Sequence, residues 1–99
     1  MRVMFKVKVP TPEGNELVAT GKMGEVVESF LARVNPEAVY FTLQDGRRTM
    51  FCFANVEDSA ELPILCEPLF QSGAAEIECV PAMNSKDMKK ALAALQGGA

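Results

Sequence analysis

Ala38-Val39-Tyr40-Phe41-Thr42-Leu43-Gln44-Asp45-Gly46-Arg47-Arg48-Thr49-Met50-Phe51-Cys52-Phe53-Ala54-Asn55-Val56 is the stretch that decides the fold. Residues 38–44 are aromatic and β-branched, which suits a pleated, half-buried strand. Asp45-Gly46 is the strongest hairpin signal in the chain, because tight hairpin turns need residues that tolerate positive φ. Residues 48–56 form the returning strand. Two registers fit. A two-residue turn pairs Gln44 with Arg47 and puts Tyr40 and Phe51 on the same face. A three-residue turn with a glycine bulge collects Phe41, Phe51 and Phe53 with Val39 and Leu43 on one buried face. The second is expected, because it buries the large rings together.

On the N-terminal side, Met23, Val26, Val27, Phe30, Leu31 and Val34 follow i, i+3, i+4, i+7, i+8, i+11, a continuous helix stripe. Glu25, Glu28 and Arg33 lie off it. Gly21 and Gly24 weaken the early turns by about 1 kcal/mol each. The reading is a helix over 22–33 with a weaker first portion from 15, stopped by Asn35-Pro36. Ahead of it, residues 2–9 alternate Val3, Phe5, Val7, Val9 with Arg2, Met4, Lys6, Lys8, the period of a strand. Pro10 and Pro12 end it.

On the C-terminal side, Asp58-Ser59 reads as a helix cap and residues 60–71 as a helix. Pro63 fits a first turn. Pro68 lacks an N–H for the Ile64 carbonyl, so a bend or split is expected near Cys66-Glu67. Ser72-Gly73 ends this helix. Residues 75–82 form a fourth strand, with Pro81 marking an edge or bulge. Asn84 or Ser85 caps a last helix over 86–96, with Met88, Leu92 and Leu95 as its stripe and Gly97-Gly98 as its stop.

The element order is β-α-β-β-α-β with an added C-terminal helix, the ferredoxin-like α+β pattern. One domain of 99 residues accommodates it. Four antiparallel strands then carry two helices on one face, and the other face is open, with Met4 and either Tyr40 or Phe41 on it. An apolar sheet face marks an interaction site, and a two-fold homodimer stacking the two sheets would cover it. Lys6, Lys8, Glu76 and Glu78 are expected at its rim or paired across strands.

Composition removes several function classes. The net charge is −3 and the ten Lys and Arg are scattered, which disfavours nucleic acid as a partner. No window approaches the 18 or so apolar residues of a membrane span, and Lys6 and Lys8 interrupt the N-terminal apolar run, which is not a signal peptide. Cys52, Cys66 and Cys79 are three in number and widely spaced, so they read as buried, reduced thiols of a cytoplasmic protein. The chain has no histidine, the commonest general base and metal ligand, and no metal site is expected.

Pro36-Glu37-Ala38-Val39-Tyr40-Phe41, Asp45-Gly46-Arg47-Arg48, Glu67-Pro68-Leu69-Phe70 and Val80-Pro81-Ala82-Met83 are the stretches in which the chain resembles the dimeric α/β-barrel superfamily. Within it the resemblance is to a group of short uncharacterised bacterial proteins, over most of residues 1–95. It implies small ferredoxin-like subunits that pair through their sheets, with a ligand pocket between sheet and helices. The superfamily includes cofactor-free monooxygenases, muconolactone isomerases and haem proteins. The haem members generally rely on an axial histidine, which is absent here, so no cofactor is expected.

The candidate site residues are few. Glu67, beside Pro68, is the candidate general base for proton transfer alpha to a carbonyl, if a kinked helix turns it into a cavity. Tyr40, the sole tyrosine, is the candidate to orient a polar substrate. Arg47-Arg48, and Arg48 in particular, suits a carboxylate ligand held in a bidentate fork. Phe70 is a candidate apolar lining residue, and Asn15 and Asn55 are candidate polar anchors. Three functions fit: a homodimer binding a small apolar or carbonyl-containing molecule, a cofactor-independent isomerase or monooxygenase, and a regulatory or accessory protein-binding module.

Overall fold

The computed structural model describes residues 1–98. Its elements are β1 (Arg2–Val9), α1 (Thr11–Ala19), α2 (Met23–Val34), β2 (Ala38–Gln44), β3 (Arg47–Asn55), α3 (Glu61–Gly73), β4 (Glu76–Pro81) and α4 (Ser85–Ala93). The protein is α+β, with a four-stranded antiparallel sheet in the order β2-β3-β1-β4 and four helices.

The alternation in β1 works as its sequence predicts. Val3, Phe5 and Val7 are buried, and Phe5 is fully enclosed. In register beside Phe5 stand Cys52 of β3 and Cys79 of β4. Phe30 of α2 meets the Phe5 ring edge-on, at 5.8 Å between centroids and 77° between planes. Val34 of α2 and Leu65, Cys66 and Leu69 of α3 complete the core, so α2 and α3 roof one face of the sheet.

The hairpin corrects the expected register. Gln44 pairs with Arg47, so the turn is the two-residue one. Asp45 and Gly46 sit at φ 55° and 73°, both left-handed, as a type I′ turn requires. Tyr40 therefore faces Phe51 across the ladder, and Phe41 faces Met50. Phe51 and Phe53 lie on the face away from the helices. The small side chains of Cys52 and Ala54, both fully buried, take the helix-facing places instead. The type I′ twist matches the right-handed twist of the strands, and the helices need small residues beneath them to approach the sheet.

The segment read as one helix with a weak beginning is two helices. α1 starts at Thr11 because proline is tolerated in a first helical turn, so Pro12 does not exclude it. It ends in a Schellman motif. Gly21 adopts φ 72°, Gly21 N donates to the Val18 carbonyl at 3.1 Å, and Lys22 N donates to the Leu17 carbonyl at 2.9 Å. α3 corrects a second expectation, since it runs unbroken through Pro68. Ile64 and Pro68 are both on its solvent side, where water can serve the carbonyl that proline leaves without a donor.

Asn84 caps α4 in a reciprocal box. Its Oδ1 accepts from Asp87 N at 2.9 Å, and Asp87 Oδ2 accepts from Asn84 N at 3.0 Å. The backbone donor at Asn84 holds the Asp87 carboxyl below its usual range, helped by Arg2 at 2.9 Å. α4 has no buried residue. The radius of gyration, 16.0 Å, exceeds the ~13 Å of a compact chain of this length, and the longest dimension is 56 Å. Past α4, residues Ala94–Gly98 form a wider turn that leaves helical geometry at Gln96 and Gly97.

Candidate functional site

A cavity of about 420 Å³ lies between the sheet and the α1–α2 pair. Val7 and Val9 of β1, Met50 of β3 and Phe41 of β2 form its floor. Leu17 of α1 and Val26 of α2 form its roof. Its roof is the α1–α2 pair, joined by the Schellman turn, and its floor reaches the edge strand β2. Phe41 and Leu43 of that edge remain 58% and 75% exposed, so the cavity opens along β2. Its volume falls in the usual range for small-molecule sites, roughly 300–1,000 Å³, and its wall is apolar, as such sites are.

Among the described residues one titratable side chain lines this wall: Arg48, whose place in β3 points it to the helix face. Its Nη2 donates to Asn15 Oδ1 of α1 at 3.1 Å. Gly14 makes room for it, since a Cβ there would stand 2.5 Å from Arg48 Nη1. The neighbouring arginine behaves differently. Arg47 points to the open sheet face and pairs with Glu76 at 3.0 Å.

The other candidates lie elsewhere. Glu67 is exposed on α3, where its Oε1 accepts from Gln71 Nε2 at 2.9 Å, so the helix does not turn it into the cavity. Phe70 is on the solvent side of the same helix. Tyr40 is 66% exposed on the open sheet face, across the sheet from the cavity. Asn55 accepts from the N-terminal amino group at 3.0 Å and so anchors the start of the chain. Of the residues singled out in the sequence, the structure brings Arg48 and Asn15 together. The part of Gly14 carried no periodic signal, because its reason is a contact with a side chain 34 positions away.

The open face carries Met4, Tyr40, Phe51 and Phe53 on one side and charge on the other. Lys6 and Glu78 are register partners, as are Lys8 and Glu76. The pairs formed are Lys8–Asp45 at 2.8 Å and Arg47–Glu76 at 3.0 Å. Lys8 holds the Asp45 carboxyl below its usual range. Lys6 Nζ stands 6.0 Å from the Phe51 ring centroid, a cation–π distance.

The thiols are set by burial. Burial pushes Cys52 up to about 11 and Cys66 up to about 12, from an ordinary 9.0. Cys66 Sγ lies 3.9 Å from Cys79 Sγ, a neighbourhood that sequence spacing does not signal. Thiolates are the reactive form, so neither Cys52 nor Cys66 should alkylate with iodoacetamide at pH 8 in the folded protein, whereas both should in denaturant. Peptide mapping by mass spectrometry reads this, and rapid native labelling of Cys52 would contradict its burial. A raised folded value also means that the stability these thiols contribute is whole below pH ~9 and falls as pH climbs through 11 to 12.

Among the described residues no three His, Cys, Asp or Glu side chains are grouped to hold a metal ion, and no helix is long and apolar enough to cross a membrane. No family model, curated protein or solved structure matches this chain.

Proposed function

We propose that this chain is a cytoplasmic, ferredoxin-like subunit of the dimeric α/β-barrel type that binds a small, largely apolar molecule between its sheet and helices. The cavity with Arg48 at its wall is the observation that carries this reading. The strand order β2-β3-β1-β4, antiparallel throughout, supports the ferredoxin-like assignment. Pairing through the open sheet face is supported by Met4, Tyr40, Phe51 and Phe53, a cluster of apolar side chains that a second sheet would cover. Binding is favoured over acid–base catalysis, because among the described residues no carboxylate lines the cavity and an arginine does not give up its proton near neutral pH.

A second reading, as a protein-binding accessory module, draws on α4. Met88 and Leu92 on it, and Met83 just before it, expose apolar surface away from the core.

Native mass spectrometry of the purified protein, followed by a denatured run, tests both. A dimer carrying added mass that is lost on denaturation is expected. A monomer at micromolar concentration would overturn the sheet-paired dimer. A clean dimer without added mass would shift weight to the accessory role.

A further inference from the structure

Granting that the cavity is a ligand site, the geometry points to the class of ligand: we infer that it takes an amphipathic monocarboxylate, with the carboxylate on Arg48 and the apolar body against Val9, Leu17, Val26 and Phe41. The charge accounting leads there. Arg2 pairs with Glu37 and Asp87, Lys8 with Asp45, and Arg47 with Glu76. Arg48 has no carboxylate within 4 Å among the described residues, although it lies half-buried against an apolar wall. Its recorded side-chain hydrogen bond goes to a neutral amide, Asn15 Oδ1. A guanidinium has five N–H donors in a planar fork, so most remain for a ligand, and the fork matches a carboxylate in bidentate geometry.

Arg33, also without a carboxylate partner, is exposed on α2 and outside this cavity, so its charge is met by water. Arg48 instead borders a wall where water has few partners, and an anion bound there replaces the hydration it lacks. Asn15 holds the fork from one side, and Gly14 leaves it room. The cavity's volume of about 420 Å³ lies in the range of small-molecule sites, and its opening along β2 leaves room for the tail of an extended chain. An acid of eight to twelve carbons, or an aryl acid of similar size, fits.

The test titrates decanoate and decan-1-ol, both below their aggregation limits, into the isotopically labelled 99-residue chain and follows methyl resonances by NMR. Decanoate should bind about tenfold or more tighter than decanol, with shifts at Leu17, Val26 and Met50, because a charge-assisted hydrogen bond is added to the same apolar contact. In Arg48→Met the two should bind equally, while Arg48→Lys should keep part of the preference. Equal binding of acid and alcohol to the unaltered protein would overturn the carboxylate assignment and leave the cavity reading standing. A preference that survives Arg48→Met would also overturn it. Shifts confined to Met4 and the open sheet face, or no binding of either probe, would overturn the cavity reading as well. Cavity shifts that follow protein concentration rather than decanoate would make a second copy of the chain the occupant, against the inference.

Discussion

Phe5→Ala should lower the unfolding free energy by about 3–5 kcal/mol, the cost of truncating a fully enclosed aromatic in a packed core. Phe5 is 0% exposed and lies on β1, which is hydrogen-bonded on both sides. Its ring fills the space between the sheet and α2 and meets Phe30 edge-on, an arrangement worth about 0.5–1.5 kcal/mol beyond area burial. Neither neighbour in register, Cys52 or Cys79, has the bulk to close the gap. Each kcal/mol shifts the midpoint of a domain of this size by about 4–8 °C, so the melting temperature should fall by at least ~12 °C. Circular dichroism against temperature and urea measures it. Phe5→Leu should cost far less, about 1.5 kcal/mol or below, since it keeps most of the volume. A loss under 1 kcal/mol for Phe5→Ala would mean that the core is not centred where β1, α2 and α3 meet.

Phe51→Glu is the second large expected effect, and under the proposed sheet-paired dimer it falls on assembly rather than folding. Phe51 is half-buried on the open face, opposite Tyr40 and beside Lys6 of β1. Folding of the single chain should change little, because the side chain points away from the helices and the new carboxylate has Lys6 near it. In a sheet-stacked dimer the same position is central, and a carboxylate there is desolvated against apolar surface. Loss of a central aromatic anchor costs about 2 kcal/mol or more, and 1.4 kcal/mol is tenfold. The dissociation constant should therefore rise at least ~30-fold, read by analytical ultracentrifugation across a dilution series. Leu92→Glu on α4 is the control, and it should leave the dimer intact. If Leu92→Glu dissociates the dimer and Phe51→Glu does not, the copies meet through α4 and the open sheet face is not the interface.

Much of the secondary structure is legible without coordinates. The period-two run of β1, the stripe of α2, the Asp45-Gly46 turn and the Asn84 cap all depend on neighbours within a few residues, so spacing reveals them. The misreadings share a cause. The hairpin register turned on whether large rings or small residues sit under α2 and α3. Helix-to-sheet packing decides that, through Cys52 and Ala54. The unbroken α3 depended on which side of the helix Pro68 and Ile64 occupy. The division into α1 and α2 depended on Gly21 closing a Schellman turn rather than merely weakening a helix.

The candidate site divides in the same way. Arg48 was legible as a carboxylate-type fork because residue chemistry is local. That it lines a cavity while Arg47 pairs with Glu76 on the opposite face follows from the register of one strand. Glu67 had the right chemistry and the wrong side of its helix. The chain's order of residues carries the four strands, most of the helices and the absence of histidine chemistry, because those rest on local periodicity and composition. Which faces meet, which arginine lacks a carboxylate and where space is left unfilled arise only once distant segments pack, because each is a relation between residues far apart in the chain.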